Sequence, residues 1–192
     1  PQLTEEVQKV GSAVPKFKGG IGTEFRYKTW RVNLLFDGEF GHQKFSLTHS
    51  ALMTQGLHVN TLTGREEGAI LGTGVVLNPD GTYSPNTTPV IPSSYFLAHY
   101  DAQNTERNIH DASYLKFREF RVEKTFTAKG LKKLGLNSAT VGVYGRDLFI
   151  WTKWPAYDPQ TSSFNNGTMI QGIEIGQMPS TRTIGLNLRF AL

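Results

Sequence analysis

The chain has 192 residues, with 20 Lys and Arg against 16 Asp and Glu, a formal charge of +4. It contains no cysteine, which excludes disulfides and thiolate metal sites, and its only adjacent basic pair, Lys132-Lys133, offers nucleic acid no patch. With 38% hydrophobic residues, 20 Gly and 9 Pro it is globular or barrel-like rather than disordered. No run reaches the about 18 apolar residues of a membrane helix, which leaves membrane-crossing strands open.

The chain starts at Pro1 without a Met, a signal peptide or a lipidation motif, and reads as a piece of something longer. Up to Lys18 it reads as loop, with one weakly amphipathic stretch from Leu3 to Val10. A first strand is expected over 19–27, with Ile21, Thr23, Phe25 and Tyr27 on one face and Gly20, Gly22, Glu24 and Arg26 on the other. Lys28-Thr29 makes a two-residue connection to a second strand over 30–41. There Trp30, Val32, Leu34 and Phe36 alternate with Arg31, Asn33, Leu35 and Asp37, so the pair reads as a hairpin. Phe25, Tyr27 and Trp30 cluster at its turn end, as an aromatic girdle or as ordinary cross-strand pairs.

The alternation dissolves over 42–112, where turn formers recur at Asn78-Pro79-Asp80-Gly81, Ser84-Pro85-Asn86 and Ile91-Pro92-Ser93-Ser94. So long a connection is unusual inside a compact soluble domain. A third strand is expected over 113–127. Leu115 and Phe117 share one parity and Phe120, Val122 and Phe126 the other, which reads either as a bulge near Arg118-Glu119 or as a strand whose upper part projects beyond a bilayer, where strict alternation is not required. Leu131-Lys132-Lys133-Leu134-Gly135 reads as a compact turn. A fourth strand over 138–151 sets Ala139, Val141 and Val143 against Thr140, Gly142, Tyr144 and Arg146. A second long loop covers 152–180, and a last strand, 181–192, sets Ile184, Leu186, Leu188, Phe190 and Leu192 against Thr183, Gly185, Asn187, Arg189 and Ala191.

Five strands alternate short turn and long loop, as outer-membrane barrels do, yet single-chain bacterial barrels have an even count. An open sheet of this kind leaves two edges and an apolar face uncovered. The fold class expected is therefore all-β: about five strands of a large antiparallel transmembrane barrel with long extracellular loops. The competing reading is a soluble β-sandwich for carbohydrate binding or adhesion, with the apolar face packed internally.

Several segments carry a family likeness: 14–28 (VPKFKGGIGTEFRYK), 111–119 (DASYLKFRE), 143–153 (VYGRDLFIWTK), Asp158-Pro159, and 179–183 (PSTRT) before the last strand. In order and spacing they resemble the C-terminal region of the SusC/RagA family of TonB-dependent outer-membrane transporters of Bacteroidetes. That resemblance implies a barrel of about 22 strands plugged by an N-terminal domain, in the outer membrane of a Gram-negative cell. It implies a SusD-like surface lipoprotein as lid, coupling to TonB through a region outside this chain, and import of a glycan or peptide. The family usually has Asn where Asp147 stands and often Glu where Gln160 stands, and it commonly ends on the aromatic residue that here is Phe190, followed by Ala191-Leu192.

No catalytic constellation, cofactor motif or metal set is legible, and an enzyme is not expected. Asp80, Asp101, Glu106, His110 and Asp111 lack metal-ligand spacing and read as solvated loop charges. His42, His49, His58 and His99 show no partner pattern. Tyr95, Phe96, Tyr100, Trp154, Tyr157 and Asp158 are candidates for an external substrate vestibule, because rings stack on sugars or bury peptide side chains at small entropy cost. Against this stands packing of the tyrosines within the loops, a place for Trp151 and Trp154 in the outer girdle, and a turn-bracing role for Asp158. Arg26, Arg31, Asn33, Arg146, Asn187 and Arg189 are expected to face the lumen. Phe25, Tyr27, Trp30, Val32, Leu34, Val141, Val143, Ile184, Leu186, Leu188 and Phe190 are expected to face outer-membrane lipid. On that assignment Leu186→Asp disrupts assembly, whereas Asn187→Asp does much less.

Overall fold

The computed structural model describes residues 6–127, 129–133, 135–161, 163–165 and 168–192. Its main sheet has five strands: β1 (Phe17–Tyr27), β2 (Trp30–Phe40), β3 (Tyr114–Phe126), β4 (Ser138–Thr152) and β5 (Thr183–Ala191), neighbours in that order. All four pairings are antiparallel. Tyr27 pairs with Trp30 across the two-residue turn, where Lys28 takes a positive φ of 54°. The β3–β4 connection includes a short helix, Lys129–Lys133, after which Gly135 turns at φ 74° and its N–H donates to the Lys132 carbonyl.

Of the two readings near Arg118, the bulge is present. Leu35 pairs with Glu119 and Phe36 with Phe117, so Arg118 has no opposite on β2. On β4, Arg146 pairs with Glu119 and Phe149 with Phe117, which sets Asp147 and Leu148 against the same residue. An extra residue reverses which face each later side chain takes. Asp147 accommodates the bend with φ 49°, a left-handed conformation that Asp tolerates better than most residues.

The chain divides into two compact units. The sheet unit holds Ser12–Gln43, Asp111–Thr161 and Met178–Leu192. Its buried residues include His42, Ala112, Tyr114, Lys116, Glu123, Ala139, Trp154 and Asp158, with Pro159 fully enclosed. The five strands form one sheet whose apolar row is exposed: Ile184 is 75% and Leu186 74% exposed. A sandwich would have packed that row against a second sheet, and this reading is set aside.

The loop unit holds Pro1–Gly11, Lys44–His110 and Ser162–Gln177. Where the sequence showed no pattern, it contains α1 (Leu47–Thr54), α2 (Pro92–Tyr100) and several short strands. Helix α1 starts on Ser46, whose hydroxyl accepts the His49 N–H at 3.0 Å; α2 starts on Pro92, whose missing N–H is harmless at the first position. The strand Gln43–Ser46 runs parallel to Ile173–Glu174 and pins the second long loop to the first. Buried Glu174 completes this clasp by accepting hydrogen bonds from Ser46 Oγ at 2.7 Å and Thr48 Oγ1 at 2.5 Å.

Candidate functional site

Two features are candidates: the polar face of the sheet and the interior of the loop unit. The cross-strand rows define the first. Phe25, Val32, Val122, Val143 and Leu186 lie opposite one another across all five strands. The adjacent row, on the other face, is Arg26, Arg31, Glu123, Gly142 and Asn187. Tyr27, Trp30, Val141 and Leu188 share the first face, as do Leu34 and Ile184 in one row and Phe190 at the turn end. Asn33, Arg146 and Arg189 share the second.

The polar face is a connected network rather than a set of solvated charges. Glu123, 3% exposed, accepts a hydrogen bond from Asn187 Nδ2 at 2.6 Å, and Arg121 and Arg31 approach it at 3.8 and 4.0 Å. Gly142 makes room for it: a Cβ there would come within 2.7 Å of Glu123 Cγ and 2.9 Å of the Val122 carbonyl. Glu24 accepts from Arg26 and, at 3.1 Å, from Asn33; Glu119 lies 3.8 Å from both Arg121 and Arg146. Asn187→Asp would set a second carboxylate against Glu123; exposed Arg189, which has no side-chain partner among the described residues, is the cleaner control on this face.

Beyond the bulge the network tightens. Arg118 donates to both oxygens of Asp37 at 2.7 and 2.6 Å, to Asp147 Oδ1 at 2.7 Å and to Gln160 Oε1 at 3.0 Å. Lys116 Nζ donates to Asp158 Oδ2 at 2.6 Å and to the same Gln160 oxygen at 2.9 Å. Burial alone would raise the Asp158 carboxyl, but hydrogen bonds from Lys116, Ser180 and Gln160 hold it below its ordinary range.

The six vestibule candidates separate accordingly. Asp158 and Trp154 are 3% and 5% exposed, so they brace the base of the second loop and offer nothing to a ligand. Phe96, 6% exposed, packs inside the loop unit. Tyr100 faces His49 edge-on at 5.7 Å and Tyr95 stacks on His99 at 4.1 Å, both half-buried. Tyr157 is exposed, at the rim of a cavity of about 200 Å³ shared with Lys116, Ser180 and Arg182. Tyr95, Phe96 and Tyr100 belong to the loop unit; Trp154, Tyr157 and Asp158 belong to the sheet unit.

Sequence reading missed a histidine cluster in the loop unit. His49 Nδ1 lies 3.2 Å from Asn108 Oδ1 and 3.2 Å from His110 Nε2, and the His58 ring is 5.3 Å away. No described group of three or more His, Asp or Glu is placed to hold a metal ion. Burial lowers the His49 pKa, and burial with the neighbouring histidines lowers that of His110 to about 4. In the unfolded chain both titrate near about 6.5. The unfolded state therefore binds more protons between those limits, so stability is full above about pH 6.5 and is lost as pH falls towards 4. Hydrogen exchange over 47–110 is expected to accelerate across that window while the sheet holds; His110→Gln and His49→Gln together are expected to flatten the response.

No protein-family model matches the chain. It is 26% identical over 194 residues to TonB-dependent receptor P3 of Formosa agariphila, and 23% over 192 residues to TonB-dependent receptor P26 of the same organism. Each alignment covers 97% of this chain but 18% of the relative, so the chain spans less than a fifth of their length. Among solved structures, the RagAB peptide importer in its closed-closed state matches with a TM-score of 0.63 and 14% identity, over 98% of this chain and 19% of that one. The open-open state matches with a TM-score of 0.55 and 13% identity, over 93% and 17%.

Proposed function

We propose, for a chain that is a segment of a SusC-like TonB-dependent receptor, that it forms the last five strands of an outer-membrane nutrient importer and part of its external loops. The apolar face meets lipid, the charged face walls the lumen, and the loop unit stands outside. A SusD-like lipoprotein lids the complete receptor, TonB energises it, and the cargo is a glycan or peptide.

The single observation that carries this reading is the height of the apolar face. Phe17 and Tyr27 lie ten residues apart on β1, both on that face and both exposed. At about 3.3 Å per residue and a tilt of about 40°, the interval is about 25 Å, the height of a barrel's apolar band. Rings mark both limits: Phe17 with Phe40 and Phe149 with Trp151 at one, Tyr27, Trp30 and Phe126 at the other. At the second limit Lys124 Nζ lies 4.9 Å over Trp30 and 5.1 Å over Phe126, and Lys28 Nζ 5.3 Å over Tyr27. Such cation–ring pairs suit a membrane–water boundary, where lysine stems lie along apolar surface and the ammonium stays wet.

In a strain carrying the complete receptor, uptake of its nutrient is expected to stop when the receptor, the lid lipoprotein or TonB is removed. Uptake that persists without TonB would contradict the energised-import reading.

Two of the three departures from the SusC/RagA pattern, Asp147 and Gln160, meet on one arginine. Asp147 adds a carboxylate and Gln160 removes one, and both accept hydrogen bonds from Arg118. The local charge is thereby conserved. Asp147→Asn and Gln160→Glu are each expected to cost about 1–2 kcal/mol, and the double variant to recover most of it. Additive losses in a double-mutant cycle on the folded receptor would refute this compensation.

A further inference from the structure

The loop unit holds a cavity of about 640 Å³ between α2 and the hairpin formed by residues 70–90. That volume lies within the range of small-ligand sites. Its hairpin floor is fixed by Asn86, whose Nδ2 donates to the Gly72 carbonyl at 2.8 Å and whose backbone N–H donates to the Gly74 carbonyl at 3.0 Å. One wall is the stacked pair of Tyr95 and His99, rings 4.1 Å apart and 26° from parallel. His99 Nδ1 donates to the Tyr95 carbonyl at 2.8 Å, which leaves Nε2 without a partner among the described residues.

The rest of the lining is polar with unspent capacity. The side chains of Thr73, Ser94, Asn104 and Arg107 border the cavity and make no hydrogen bond or ion pair among the described residues. Arg107 is the one full charge there, and no described carboxylate lines the cavity. A guanidinium without a carboxylate presents a planar fork suited to a carboxylate or sulfate. Hydroxyl and amide groups beside an aromatic face match the hydroxyls and the flatter apolar side of a sugar ring.

We propose that this cavity binds an anionic sugar unit of the incoming oligosaccharide, with Arg107 pairing its carboxylate or sulfate and the Tyr95–His99 pair covering one face. The proposal rests on the reading of the loop unit as the outer part of an importer, and it narrows the cargo to an acidic glycan.

Binding is measured by calorimetry on the purified complete receptor in detergent. The probes are trigalacturonate, its fully methyl-esterified form, galactose 6-sulfate and triglutamate. Trigalacturonate or galactose 6-sulfate is expected to bind, and which of them does so identifies the anion. Arg107→Ala is expected to weaken that binding at least tenfold and Arg107→Glu to abolish it, while Arg107→Lys keeps part. As Arg107 is exposed, these variants are expected to fold; unchanged heat-modifiability on gels checks this. Equal binding of the esterified trimer, no effect of Arg107→Ala, or no binding of either acidic sugar overturns the proposal. Arg107-dependent binding of triglutamate alone overturns it in favour of an acidic peptide. A receptor absent from the outer-membrane fraction would instead refute the importer reading, so the two failures are distinct.

Discussion

Asp158→Ala is expected to destabilise the sheet unit by about 3–5 kcal/mol, because it leaves the Lys116 ammonium buried without its carboxylate. Both side chains are 3% exposed, and among the described residues Lys116 keeps the Gln160 oxygen at 2.9 Å and the Tyr114 ring at 5.5 Å. The carboxylate also accepts the Gln160 N–H at 2.9 Å, so its loss loosens the turn that presents the shared Gln160 side chain to Arg118. The effect is read as a lower melting temperature of the folded receptor on heat-modifiability gels. Asp158→Leu combined with Lys116→Met removes both charges and is expected to recover much of the loss, since a buried ion pair adds little over an apolar replacement. A double variant as unstable as Asp158→Ala would show that packing around Pro159, not the uncompensated charge, carries the cost.

The second large effect is expected at Leu186→Arg. Leu186 ends a row of five apolar residues that crosses every strand, and it is 74% exposed. If that exposure is to lipid, an arginine near mid-height costs about 2–4 kcal/mol, and an aspartate less. The folded fraction recovered from outer membranes is expected to fall sharply for Leu186→Arg and to change little for Arg189→Asp on the opposite face. Equal yields would contradict the assignment of faces.

What was legible in the sequence was what period-two alternation encodes. The final strand alternates without interruption, and the Lys28-Thr29 hairpin does so apart from Leu35 on its polar side, so their faces could be read directly. The bulge was legible for the same reason, as a parity change between Phe117 and Phe120. Its consequence was not. Lys116 stands between Leu115 and Phe117, and nothing in that triplet says that its ammonium meets Asp158, 42 positions later. Asp37, Arg118 and Asp147 likewise come from three strands, and only the register brings them together.

The loop unit was illegible for a different reason. The buried residues of α1 are His49, Ser50 and Met53, so its inward side carries one apolar group and hydropathy shows no helical stripe. Its polar interior is held by specific bonds: Ser50 Oγ to the Tyr100 carbonyl at 2.7 Å, and Asn108 Nδ2 to the Tyr100 carbonyl at 3.0 Å. A polar core of that kind has no periodic signature. The aromatic residues there drew notice as ligand contacts, yet Phe96 and Tyr100 are spent on the interior; Tyr95 alone of the three borders the large cavity.

One face of this sheet is proposed to meet lipid and the other to meet water. The chain has no cysteine, so single cysteines can be placed at 184, 186, 187, 188 and 189 of the complete receptor in outer membranes, with any cysteines elsewhere in it replaced. Cysteines at 187 and 189 are expected to react with a water-soluble maleimide. At 184, 186 and 188 that reagent should not react, and a fluorophore attached before membrane insertion should be quenched by spin-labelled lipid. Water-reactive cysteines at 184, 186 and 188 without lipid quenching would contradict this proposal.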